Sequence, residues 1–122
     1  MKVLIIDDEK SIREVLELSL EDDWTVLAAG SGDQGLEIAR RENPDLILLD
    51  RMMPGKDGIA TLKELRADPE IGSIPVIFLT ARVQTQQLGE YEGLDVLGVL
   101  AKPFDPMTLT DEISALLAGE PG

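Results

Sequence analysis

The chain contains no cysteine and no histidine. Without cysteine there can be no disulfide, no thiolate nucleophile and no cysteine-ligated zinc. Without histidine, serine–histidine triads, histidine metal clusters and histidine general bases are excluded. Positive charge is scarce too: 11 basic side chains face 24 acidic ones, a formal net charge of -13. That excess repels nucleic acid and anionic membrane, and it suits metal cations and basic partner surfaces. No apolar run approaches a membrane span, and Val3-Leu4-Ile5-Ile6 is too short for a signal-peptide core. These absences lead to the expectation of a cytoplasmic protein whose chemistry rests on carboxylates, hydroxyls, lysine and arginine.

At 122 residues and 43% hydrophobic, the chain is long and apolar enough for one globular domain with a real core. Its apolar residues come in short unbroken runs between turn signals, the pattern of strands buried on both faces. Val3–Ile6 ends in Asp7, Asp8 and Glu9, and Leu46–Leu49 ends in Asp50, with Pro54-Gly55 closing the segment. Val76–Leu79 ends at Thr80, and Val96–Ala101 ends at Lys102-Pro103. Trp24–Ala29 reads as a further strand, with Trp24 at its amino end.

Between these runs the apolar spacing is helical. Ile12, Val15, Leu16 and Leu20 mark a helix from Lys10 to Leu20. Ser31 with Gln34 forms a capping box for a second helix running to about Arg41, stopped by Asn43-Pro44. Asp57 caps a third, with Ile59, Leu62 and Leu65 on one face. Arg82 to Leu94 has the weakest helical pattern, with three glutamines and two glycines. Asp105 as cap and Pro106 at the first helical position start the last helix, whose core face is Leu109, Ile113, Leu116 and Leu117. Five β-α units imply a parallel sheet covered on both faces. No linker or repeat interrupts them, so one domain is expected over residues 1–122, with its core at 2–117 and a short tail at 118–122.

In a parallel sheet all carboxyl ends lie along one edge, where open α/β folds place their ligand sites. That edge collects Asp7, Asp8, Asp50, Thr80 and Lys102. Each is commonplace alone: acids after strands are usually solvated turn residues, and a lysine before proline is usually on the surface. Together, clustered carboxylates repel one another, and a divalent cation such as Mg²⁺ relieves that repulsion. Lys102 adds a point charge suited to phosphate and Thr80 a hydroxyl donor. The set describes a phosphoryl-transfer site in which a carboxylate is the nucleophile.

The acid pair Asp7-Asp8, the stretch Asp50-x-x-Met53-Pro54-Gly55-x-Asp57-Gly58, Thr80-Ala81 and Lys102-Pro103-Phe104 are carried across roughly Lys2 to Leu117. In this the chain resembles the response-regulator receiver domains of two-component signalling. The resemblance implies a flavodoxin-like, doubly wound, five-stranded parallel sheet in order 2-1-3-4-5 with five helices. It implies Asp50 as phosphoacceptor and Mg²⁺ held by Asp8, Asp50 and the backbone carbonyl of Arg51, with Asp7 assisting directly or through water. Lys102 would pair with the phosphoryl oxygens, Thr80 would hydrogen-bond them, and Lys102-Pro103 would be a cis peptide. The donor would be a phosphohistidine on a sensor histidine kinase or phosphotransfer protein, and a downstream protein would read the result. Such a domain acts only on itself and is not a conventional enzyme.

Departures from the family pattern are informative. The position three before the lysine, usually Tyr or Phe, is Val99, which removes the aromatic of the usual switch. Met52 and Arg82 occupy two positions that flank the phosphoryl group in the family and influence its lifetime. Two alternatives remain at this stage. One is a receiver-like module that binds partners independently of phosphorylation. The other is a Mg²⁺-dependent phosphatase with an aspartyl nucleophile, against which the adjacent rather than alternating Asp7-Asp8 argues.

Overall fold

The computed structural model describes residues 1–80 and 95–119. Five parallel strands, β1 (Lys2–Ile6), β2 (Thr25–Ala29), β3 (Leu46–Asp50), β4 (Val76–Thr80) and β5 (Gly98–Ala101), form one sheet in the order β2-β1-β3-β4-β5. Four helices are described: α1 (Lys10–Leu20), α2 (Gly32–Glu42), α3 (Gly58–Ala67) and α4 (Leu109–Leu117). The helix expected over Arg82–Leu94, and Arg82 with it, lies outside the described residues.

The unbroken apolar runs are explained by two cores, one on each face of the sheet. Successive residues of a strand point to opposite sides. Leu4, Ile6, Ile47, Leu49, Val76 and Phe78 therefore join Leu36 and Ala39 of α2 and Leu62 and Leu65 of α3. Val3, Ile5, Leu46, Leu48, Ile77 and Leu79 join Leu16 and Leu20 of α1 and Leu109, Ile113 and Leu116 of α4. Strands β3 and β4 are buried at every residue, whereas the edge strand β2 is only partly covered. Fully burying one such side chain stabilises the fold by roughly 1.5–3 kcal/mol, so these central strands anchor the sheet edge where the candidate site residues gather.

Local chemistry sets the helix starts, with two adjustments to the sequence reading. Ser31 Oγ accepts from Gln34 N–H at 3.2 Å, but the Gln34 side chain reaches back to Gly30 N–H at 2.8 Å rather than to the cap residue itself. Asp57 caps α3 by accepting from Ala60 N–H at 2.9 Å. Asp105 does not start a helix directly. Its carboxylate accepts from Met107 N–H at 2.9 Å, and its carbonyl from both Thr108 N–H and Leu109 N–H, so a tight turn is pinned first and α4 begins at Leu109. Regular pairing of β5 likewise begins at Gly98, two residues later than the apolar run suggests, although Leu97 N–H already donates to Val76 O at 2.8 Å. Trp24 falls just before β2, at the amino end of the strands.

Candidate functional site

The carboxyl edge of the sheet turns on Asp7. The strand β1 ladder continues one residue past its end, with Asp7 N–H donating to Ala29 O at 3.1 Å. The Asp7 carbonyl accepts from Arg13 Nη1 at 2.8 Å, and Oδ1 accepts from Glu9 N–H at 2.9 Å. The side chain has no solvent exposure, and its carboxylate is held between the Glu9 N–H on Oδ1 and the Lys102 ammonium on Oδ2. Neither Arg13 nor the Glu9 amide carries a sequence signal for this role, because both act from the first turn of a helix read only for its apolar face.

Asp50 ends β3 and is 2% exposed. Its Oδ1 accepts from Met52 N–H at 3.3 Å. The next peptide is locked on both sides: Arg51 N–H donates to Leu79 O at 3.0 Å, and the Arg51 carbonyl accepts from Gly58 N–H at 3.0 Å. The start of α3 approaches so closely that a side chain at residue 58 would meet Asp50 O at 2.4 Å, which only glycine avoids. The need for glycine after Asp57 is a constraint that the sequence reading quoted but did not explain.

Lys102 follows β5, and its peptide to Pro103 is cis. Its N–H donates to Thr80 O at 2.7 Å, which ties the end of β5 to the end of β4. The ammonium lies 3.0 Å from Asp7 Oδ2 and 3.3 Å from Asp50 Oδ1. Thr80, buried at the end of β4, lies opposite Ala101 in the sheet. Asp8 is exposed, yet Asp7, Asp8 and Asp50 each offer an oxygen within 4.8 Å of the others.

Burial pushes the Asp50 carboxyl up to about 6, and the neighbouring Asp7 charge adds to the rise; Lys102 and the Met52 N–H pull the other way. Burial alone would lower Lys102, but the carboxylates of Asp7 and Asp50 outweigh it and raise its pKa. Three carboxylates against one ammonium leave an excess of negative charge at this edge. An all-oxygen donor set of this size fits a hard divalent cation, for which a few carboxylates and a carbonyl suffice alongside water.

Asp7, Asp8, Asp50 and Lys102 are therefore brought together, with Thr80 on the adjoining strand end. Met52 stands exposed at the rim, its sulfur accepting from Arg51 Nη1. Val99 lies opposite Phe78 in the sheet and packs on the α2–α3 side of the core. Lys56, unremarked in the sequence, bridges Asp33 of α2 and Glu64 of α3 and so fastens the loop that follows Asp50.

Residues 3–114 match the family described as the response regulator receiver domain. The chain is 38% identical over 117 residues to sporulation initiation phosphotransferase F of Bacillus subtilis, covering 95% of this chain and 93% of that protein. It is 40% identical to a probable transcriptional regulator, ycf27, of Porphyridium aerugineum, covering 95% of this chain but 48% of that protein. The chain thus spans about half the length of ycf27 and nearly all of the phosphotransferase. Among solved structures, the chemotaxis protein CheY4 of Vibrio cholerae superposes with a TM-score of 0.87 at 30% identity, covering 94% of this chain and 97% of that one. The N-terminal domain of a response regulator receiver protein from Methanoculleus marisnigri gives a TM-score of 0.77 at 34% identity, covering 96% of each chain.

Proposed function

Because the chain belongs to the response regulator receiver domain family, we propose that Asp50 accepts a phosphoryl group from a phosphohistidine on a partner protein and that this alters the binding of a downstream protein. The observation that carries the reading is the buried set of Asp50, Asp7 and Lys102 on one sheet edge, with Asp8 beside it. A carboxyl titrating near 6 is mostly ionised at neutral pH and available as a nucleophile.

In the transfer, an Asp50 oxygen forms a bond to phosphorus as the bond from phosphorus to the donor imidazole breaks, and the imidazole leaves with the electron pair. The chain has no histidine and so cannot supply that imidazole itself. Asp7, Asp8, Asp50 and the Arg51 carbonyl would hold Mg²⁺, which supplies positive charge to the phosphoryl oxygens. Gly58 N–H fixes the direction of that carbonyl. Lys102, now shared by two carboxylates, turns to the incoming oxygens, and the Thr80 hydroxyl donates to them. The Lys102 N–H bond to Thr80 O links both groups through one backbone contact, so a shift at one strand end is felt at the other.

The group acts on its own chain, so the activity is signalling rather than turnover of a free substrate. The phosphotransferase relative names that chemistry for itself. The net charge of -13 argues against nucleic acid as a direct ligand of this domain. The receiver domain would span residues 1–122, with its core at 2–117. Among the described residues no helix is long and apolar enough to cross a membrane.

Val99 favours a second reading, in which partners bind irrespective of phosphorylation. It is half-buried against the core and offers no ring to flip. Incubation with acetyl phosphate and Mg²⁺ separates the two. Intact mass should rise by one phosphoryl group in the wild type and not at all in Asp50→Asn. A wild type that gains nothing removes the phosphorylation-dependent reading, and a mutant that still gains the group removes Asp50.

A further inference from the structure

We infer that the Met52 thioether is a site of reversible oxidation by peroxide, and that its sulfoxide shortens the life of the phosphoryl group on Asp50. The second half of this statement rests on the function proposed above. In a chain without cysteine, two-electron oxidants act on thioethers instead. Four methionines are present, and they differ sharply in setting. Met53 is 8% exposed within the core, Met1 is 41% exposed at the chain start, Met107 is 85% exposed and Met52 is 66% exposed. Among these, Met52 alone is bonded to Asp50, through its peptide N–H to Oδ1 at 3.3 Å. The Met107 N–H goes to Asp105 instead.

The neighbouring guanidinium is placed to stabilise the product of oxidation at this sulfur rather than to activate the thioether. A thioether is a weak acceptor, yet Met52 Sδ already takes a hydrogen bond from Arg51 Nη1. In the oxidation, a sulfur lone pair attacks one peroxide oxygen. The S–O bond forms as the O–O bond breaks, and the leaving hydroxide takes the proton of the transferred oxygen to become water. Sulfur is oxidised by two electrons and the peroxide is reduced by two. An Arg51 N–H can donate to the departing oxygen, and afterwards to the sulfoxide oxygen, a far stronger acceptor than the thioether. A thiol-dependent sulfoxide reductase reverses the change, returning the thioether and releasing water.

The consequence follows from position. Oxidation puts a polar, hydrogen-bonding group in place of an apolar one, two residues from the phosphoacceptor and on the residue whose N–H holds its carboxyl. Water is then retained at the mouth of the site, where an acyl phosphate is hydrolysed. The sulfoxide form should therefore lose its phosphoryl group faster.

The test treats the full chain with dilute hydrogen peroxide and locates added oxygen by peptide mass. It then loads the protein with acetyl phosphate and Mg²⁺ and follows loss of the phosphoryl mass with time. Met52 and Met107 should oxidise well before Met53. The phosphoryl half-life should fall several-fold, recover after treatment with sulfoxide reductases for both epimers, and fall equally in peroxide-treated Met107→Leu. Peroxide should leave the half-life of Met52→Leu where it was. Oxidation of Met52 no faster than Met53, an unchanged half-life at full Met52 oxidation, or an equal fall in Met52→Leu would each overturn the inference. Failure of the underlying reading is distinguishable, because an unoxidised chain that never takes up the group overturns that reading and the lifetime effect before peroxide is added, whereas peptide mass still decides the oxidation of Met52.

Discussion

At the amino ends of the strands, Arg66 of α3 donates to Gly72 O at 2.9 Å, to Ile74 O at 2.6 Å and to Asp95 O at 2.6 Å. Lys2 reaches Glu42, and its backbone N–H donates to Asp45. Both of these cations meet backbone carbonyls and an opposite charge. At the carboxyl ends, two carboxylates are buried against one ammonium and a third stands beside them. Both ends contain acids, lysine or arginine and tight backbone contacts. They differ in whether the charges are satisfied within the fold. The amino end is arranged for stability, whereas the carboxyl end retains an excess of negative charge that a cation and a phosphoryl group would use.

Breaking the amino end should give the largest change in stability. Arg66→Gln removes the donors to three carbonyls and should cost about 3 kcal/mol, read as a lower urea midpoint at unchanged slope. Phosphoryl uptake per folded molecule should stay at the wild-type level. A fall in uptake per folded molecule would mean that the two ends are coupled.

The opposite change at the carboxyl end should stabilise. The Asp50 carboxyl lies at about 6 in the fold against an ordinary 3.8, so the folded chain holds this proton more tightly than the unfolded one. The contribution of that proton is full below the ordinary value and is lost as pH rises through about 6. In metal-free protein, Asp50→Asn should therefore raise stability at neutral pH by on the order of 2 kcal/mol, with the gain vanishing towards the ordinary carboxyl pKa. Urea titrations across that pH range check the sign; a variant less stable than wild type at neutral pH would show that Asp50 is not held at a cost. The smallest expected effect is at Trp24, which precedes β2 at the amino end. Its fluorescence should barely change on addition of Mg²⁺, and strong quenching would break the separation of the two ends.

Much of this arrangement was legible before any coordinates. Four apolar runs ended in chemistry-bearing residues, and alternation of strands with helices placed those ends on one edge. Strand bounds were read best where both faces are buried, as at β3 and β4, because there every residue before Asp50 and Thr80 is apolar. They were read less well at β5, where Val96 is apolar but regular pairing waits until Gly98. The start of α4 was misplaced because the Asp105 turn and a helix cap use the same residues. Arg13, Lys56 and Arg66 were not singled out. Arg13 acts on the Asp7 carbonyl one turn before its helix, and Lys56 and Arg66 reach groups as far off as Asp33 and Asp95; a lone arginine or lysine has no pattern that marks such a partner.

The sequence by itself determined the class of fold, the edge at which chemistry collects and the identity of Asp7, Asp8, Asp50, Thr80 and Lys102 as its members. These follow from local rules: periodicity of two or 3.6, turn residues and the direction of parallel strands. The tertiary structure alone decided which charges share a site and at what distance. It set Lys102 between Asp7 and Asp50, turned the Arg51 carbonyl towards Gly58 and left Met52 exposed beside its buried neighbour Met53. Those outcomes depend on how close separate strands and helices approach, which is fixed by packing on both faces of the sheet rather than by any one segment.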